Sequence, residues 1–130
     1  MRIFVFGNSD FEPDSLPLSI LPELRQKLPL VEFYCIDPNE DWPEISEVTI
    51  IDTIINSFEP LEFYSLDAFL DAPRLSMHDF DALTNLRLMQ KIGRLKKIHI
   101  LGLPPNIDKK QAVDWIVERV NSTIDGQENH

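Results

Sequence analysis

Three short runs constrain this chain more than any other feature: Ile3-Phe4-Val5-Phe6, Val48-Thr49-Ile50-Ile51 and Ile98-His99-Ile100-Leu101. Each is rich in β-branched or aromatic residues and too short to be a helix in its own right. Each is closed by a turn or polar signal: Gly7-Asn8, then Asp52, then Gly102-Leu103-Pro104-Pro105. Runs of this kind read as strands that are apolar on both faces, and such strands belong to sheets covered on both sides.

The segments between these runs supply the covering layers. Helical spacing places Leu18, Leu21, Leu24 and Leu28 on one face of a helix over about Leu16–Leu28, with Pro17 in its first turn. Pro22 must also lie in a first turn or kink that helix. Ser76-Met77-His78-Asp79 is a capping box opening a second helix, which turns Phe80, Leu83, Leu86, Met89 and Ile92 inward and stops at Gly93. Asp108 caps a third, with Val113, Ile116, Val117 and Val120 on its inner face, and residues 124–130 are expected to fray. Leu30–Ile36 and Leu61–Leu66 read as two more strands, making about five: Arg2–Phe6, Leu30–Ile36, Glu47–Asp52, Leu61–Leu66 and Lys97–Leu103. The alternation predicts an α/β fold, a three-layer α/β/α sandwich with a mainly parallel sheet, and a single domain over residues 1–130.

Composition narrows the function. The chain has 130 residues and a formal charge of −10, which argues against nucleic acid because phosphate binding needs a basic face. The excess is local: residues 1–86 carry 17 acidic and four basic side chains, while residues 87–130 carry five acidic and eight basic ones. The single Cys excludes an internal disulfide, a four-Cys zinc site and a redox pair, and points to a reducing compartment. Cys35 lies within a strand segment and is expected to be buried and inert. The first apolar run is too short for a signal peptide, and no stretch reaches the roughly 18–20 apolar residues of a membrane span. The expectation is a cytoplasmic, monomeric protein.

In parallel sheets, ligands bind at the carboxyl ends of the strands. Three candidates fall at that edge. Asp14 lies in the acidic loop after the first strand, Asp52 ends the third, and His78 opens the Ser76 helix. Each alone has an ordinary reading: a solvated loop acid or helix cap, a turn residue, an exposed imidazole. Together, two carboxylates and an imidazole suit a divalent first-row metal with open positions, and a helix N-terminus favours the neutral imidazole that ligates. No nucleophile stands out. There is no G-x-S-x-G elbow, and His99 alternates with apolar strand residues.

The order Arg-Ile-Phe-Val-Phe-Gly-Asn, an acid at Asp14, Ile-Ile-Asp52, Ser-Met-His78 opening a helix, then Ile-Leu-Gly-Leu-Pro-Pro resembles the hydrogenase maturation endopeptidases, from Met1 to about Val120. The resemblance implies a hydrolase: a peptidase that removes a C-terminal extension from the nickel-iron hydrogenase large-subunit precursor after nickel insertion. It maps the nickel ligands onto Asp14, Asp52 and His78, with the nickel supplied by the substrate. It implies no other cofactor and leaves the catalytic group unassigned.

Two other readings stand beside it. Asp14 lies between Pro13 and Ser15-Leu16-Pro17, where family members carry paired acids followed by Gly. A non-catalytic homologue that binds the precursor or nickel fits that departure. A receiver-type phospho-acceptor domain would also place acids after the first strand and Asp52 after the third, but it needs a Lys where this chain has Gly102-Leu103-Pro104.

Overall fold

A computed structural model of the chain describes residues 1–6, 15–35, 46–54, 58–65, 91, 93 and 95–128, with side chains described as far as 124. In chain order the elements are β1 (Arg2–Val5), α1 (Leu16–Ser19), α2 (Leu21–Lys27), β2 (Glu32–Cys35), β3 (Glu47–Thr53), β4 (Leu61–Phe63), β5 (Lys97–Leu103) and α3 (Lys109–Glu128). The strands form a five-stranded sheet in the order β2-β1-β3-β5-β4. All pairings are parallel except β4 on β5, which is antiparallel. The α/β class with a mainly parallel sheet is therefore as the sequence implies.

The sheet is buried on both faces, which is why its central strands are apolar almost throughout. On one face Ile3, Val5, Ile51, Leu101 and Leu103 pack against Leu16, Ile20, Leu21 and Leu24 of the first helical segment and against Ala112, Val113, Ile116 and Val120 of α3. Successive strand side chains point to opposite faces, so Phe4, Val48, Ile50, Ile98 and Ile100 belong to the other one. All five are buried. The Ser76 helix expected to lie along the chain between β4 and β5 falls outside the described residues, apart from its end. Lys91 is helical and Gly93 has φ +80°, the left-handed conformation that closes helices and that glycine adopts without steric cost.

Asp108 caps α3 as expected: its Oδ2 accepts the Gln111 amide at 3.3 Å, and its carbonyl accepts the Ala112 amide at 2.9 Å. Of the predicted inner face, Val113, Ile116 and Val120 are buried and Val117 is half-buried. The backbone stays helical to Glu128, although fraying was expected from residue 124.

Four expectations are corrected. The single helix over Leu16–Leu28 is two short helices that meet at Ile20, which has φ −93° and ψ −6°. Pro22 has no N–H to give the Leu18 carbonyl, so the chain restarts, with Pro22 in the first turn of α2. Ile20, at the junction, becomes a core residue, while Leu18 is only half-buried. The strand expected over Leu30–Ile36 is four residues long and lies at the sheet edge. Cys35 there is exposed rather than buried, because an edge strand has a neighbour on one side only. The fourth strand ends at Phe63 rather than Leu66.

Leu24 is fully buried where α2 meets the sheet and α3. Leu24→Ala is expected to cost about 2–5 kcal/mol, the range for large-to-small core changes. Urea denaturation followed by circular dichroism should show a lower midpoint with an unchanged slope.

Candidate functional site

The topology brings three strand exits side by side. β3 lies between β1 and β5, so the chain leaves all three at the same edge. Pairing continues to the last residues there: the Phe6 amide donates to the Ile51 carbonyl at 2.9 Å, and the Ile54 amide donates to the Leu103 carbonyl at 2.9 Å. This is the carboxyl edge at which parallel sheets take their ligands.

Asp52 stands in the middle of that edge. It faces Gly102 across the β3–β5 ladder and is 0% exposed. Its Oδ1 accepts the backbone amide of Thr53 at 2.8 Å, a bond that fixes the plane of the carboxylate. A carboxyl group that gives up water needs hydrogen bonds, an opposite charge or a metal in return. An acid in an otherwise apolar strand end is therefore held there against a solvation cost. Asp52 and Thr53 are the buried polar residues among those described. The Thr53 hydroxyl, on the opposite face of the strand, is also buried and has no hydrogen-bond partner among the described residues.

The structure thus places one of the three predicted ligands. Asp14 and His78 lie outside the described residues. Among the described residues no group of three His, Cys, Asp or Glu side chains is close enough to hold a metal ion. Also among the described residues, no helix is long and apolar enough to cross a membrane.

Sequence reasoning did not anticipate the surroundings of Asp52. Gly102 carries no side chain on the strand facing it, and Ile54, two residues beyond Asp52 on the same face, fills the vacant place. The signal was present in a weak form, as a lone glycine inside an apolar strand, which marks close approach by another group.

A second polar cluster lies on the helical face. His99 Nε2 is 2.9 Å from Glu62 Oε1, and the His99 ring stacks on Tyr64 with centroids 4.7 Å apart. Glu62 also meets Arg119 of α3, at 3.7 Å, and that guanidinium lies 5.9 Å from the centre of the Trp115 ring. This network ties the antiparallel edge strand to β5 and α3. His99 is a sheet residue, as its alternation implied. Desolvation, and then the negative charge of Glu62, hold the Tyr64 phenol above the usual tyrosine value.

No protein-family profile matches the chain, and no curated protein matches it by sequence. Two solved structures share its fold. The hydrogenase maturating endopeptidase HybD from E. coli superposes with a TM-score of 0.71 at 17% identity, over 98% of this chain and 94% of that one. An uncharacterized protein from Wolinella succinogenes superposes with a TM-score of 0.56 at 12% identity, over 97% of this chain and 96% of that one. At these identities the likeness is one of fold.

Two expectations follow. Asp52→Asn keeps an oxygen for the Thr53 amide, whereas Asp52→Ala leaves that buried donor unpaired. The alanine variant should lose about 1–3 kcal/mol and the asparagine variant less, as read by urea denaturation. Separately, Glu62→Gln in a Tyr34→Phe background should bring the Tyr64 ionisation down toward the ordinary phenol range in an alkaline absorbance titration. The sign follows from linkage. A folded-state pKa above the unfolded one gives stability that is complete below the unfolded value and lost as the pH rises through the folded value. Glu62→Gln should therefore move this alkaline loss to lower pH.

Proposed function

We propose that this protein is an endopeptidase that removes the C-terminal extension of a nickel-iron hydrogenase large-subunit precursor once nickel has been inserted. The observation that carries the reading is the buried Asp52 carboxylate at the carboxyl end of the central strand, in a fold shared along nearly its whole length with a hydrogenase maturating endopeptidase. The sequence order supports it further. Asp10, Glu12 and Asp14 follow the strand next to β3 in the sequence, and His78 lies in the Ser-Met-His-Asp run that reads as a helix start.

In this reading nickel is part of the substrate. Asp14, Asp52 and His78 hold the ion that the precursor carries, two carboxylates and an imidazole forming a donor set suited to a divalent first-row metal. Asp52 contributes a carboxylate that is already dehydrated and oriented by the Thr53 amide, so little reorganisation is needed when the metal arrives. Recognition of the ion then makes cleavage conditional on metal insertion, and the bound metal positions the adjacent peptide. The strand order weighs against the receiver-type alternative, whose parallel sheet runs 2-1-3-4-5. Here β5 pairs with β3, and the edge strand β4 is antiparallel.

The test is incubation of the chain with nickel-loaded and nickel-free precursor, with mass spectrometry to detect loss of the C-terminal peptide. The loaded precursor should be shortened and the nickel-free one left intact. Asp14→Asn, Asp52→Asn and His78→Ala should each reduce processing by about a hundredfold or more, the scale on which removing a positioning or electrostatic group acts. Undiminished cleavage by all three variants would refute the ligand assignment. Tight precursor binding by the wild-type chain without any mass loss would favour the non-catalytic reading.

A further inference from the structure

The neighbourhood of Asp52 contains a packing relation that the ligand assignment does not use. Asp52 and Gly102 are register partners, so whatever side chain stood at 102 would lie beside the carboxylate on the same face of the sheet. None is there, and Ile54 takes the place. A Cβ on Gly102 would lie 2.8 Å from Ile54 Cγ2, 3.3 Å from Cδ1 and 3.5 Å from Cγ1. The first distance is below any real contact of this kind. Cγ2 is the branch methyl, close to the backbone, and a β-branched side chain has little rotamer freedom with which to move it aside. Ile54 is itself 0% exposed and its amide is bonded to Leu103, so the backbone cannot carry the side chain away. Gly102 is not needed for a special backbone conformation, since Gly93 is the positive-φ glycine among those described. Its bare Cα is needed for space.

We propose that Gly102 is a positioning residue for Asp52: its bare Cα lets Ile54 seat across the strand end clear of the carboxylate, which leaves Oδ1 free to take the Thr53 amide. The inference deepens the functional reading and rests on it for the role of Asp52 as a nickel ligand, but the packing relation can be tested separately. A side chain at 102 would push Ile54 toward the carboxylate and loosen the bond that orients it.

The test uses the full chain with Gly102→Ala, Ile54→Ala, Ile54→Val and the two double variants. The readouts are the Thr53 amide resonance, its hydrogen exchange, and titration with Ni²⁺ alone. Gly102→Ala should shift the Thr53 resonance and speed its exchange by about tenfold or more. Adding Ile54→Ala, which removes all three crowding atoms, should restore both. Adding Ile54→Val should not, because valine keeps the branch methyl. Stability should follow the same pattern. Gly102→Ala should lower the melting temperature in the wild-type background and leave it unchanged or raise it in the Ile54→Ala background, where the new methyl fills space. If Gly102→Ala alone does not fold, the comparison of Ile54→Ala with its Gly102→Ala double variant stands in, and matching Thr53 resonances are expected there.

A folded Gly102→Ala protein with an unchanged Thr53 amide would overturn the proposal. So would rescue by Ile54→Val as complete as that by Ile54→Ala. Under the functional reading, Gly102→Ala weakens Ni²⁺ binding by about tenfold, since a misoriented ligand costs affinity on that scale, and Asp52→Asn weakens it more. A Thr53 response as expected, with Ni²⁺ binding indifferent to Asp52→Asn, would uphold the packing relation and overturn the nickel assignment alone.

Discussion

The parallel ladder between β3 and β5 is the constraint on which the other features of this molecule depend. It pairs seven residues on each side, from Glu47 with Lys97 to Thr53 with Leu103, and joins segments far apart in the chain. A slip of one residue would turn every side chain of one strand to the opposite face. Either Ile51 or Leu101 would leave the helical core, and Asp52 would face Leu101 or Leu103 instead of Gly102. The apolar character of both strands on both faces enforces the register. The same register that builds the core therefore also sets the surroundings of the buried carboxylate.

Much of this was legible in the sequence, and the exceptions have physical causes. The central strands announced themselves because strands covered on both faces are apolar almost continuously, and Asp108 and Gly93 marked a helix start and a helix end through local chemistry. The edge strands were read too long. Leu30 looks like a core residue beside Val31 and Phe33, yet it is 88% exposed, because apolar content alone does not show which strand lacks an outer neighbour. Ile20 was missed because a periodicity drawn through Leu16–Leu28 assumes one unbroken helix, and Pro22 resets the phase.

The site was legible to a smaller degree. Asp52 stands out as an acid at the end of a β-branched run, and the fold places it at the carboxyl edge. The place of Gly102 beside it could not be read in advance, since it arises from pairing across about 50 positions of chain. The Glu62–His99–Arg119 network was equally hidden. Its members come from β4, β5 and α3, and no local spacing links them.

The antiparallel strand β4 has a consequence of another kind. A long, flat strand at the border of a sheet offers its backbone to any other chain that meets it, and so risks aggregation. β4 pairs with β5 through only three residues, Leu61 to Phe63, and has Glu62 at its centre. Glu62 points toward His99 and Arg119, so the strand is held by charge on its inner side. A foreign strand approaching this border would find little backbone to copy and a carboxylate to desolvate. For a chain that leaves Phe58 and Tyr64 largely exposed nearby, a short and charged border keeps apolar surface at one end of the sheet from becoming a route to self-assembly.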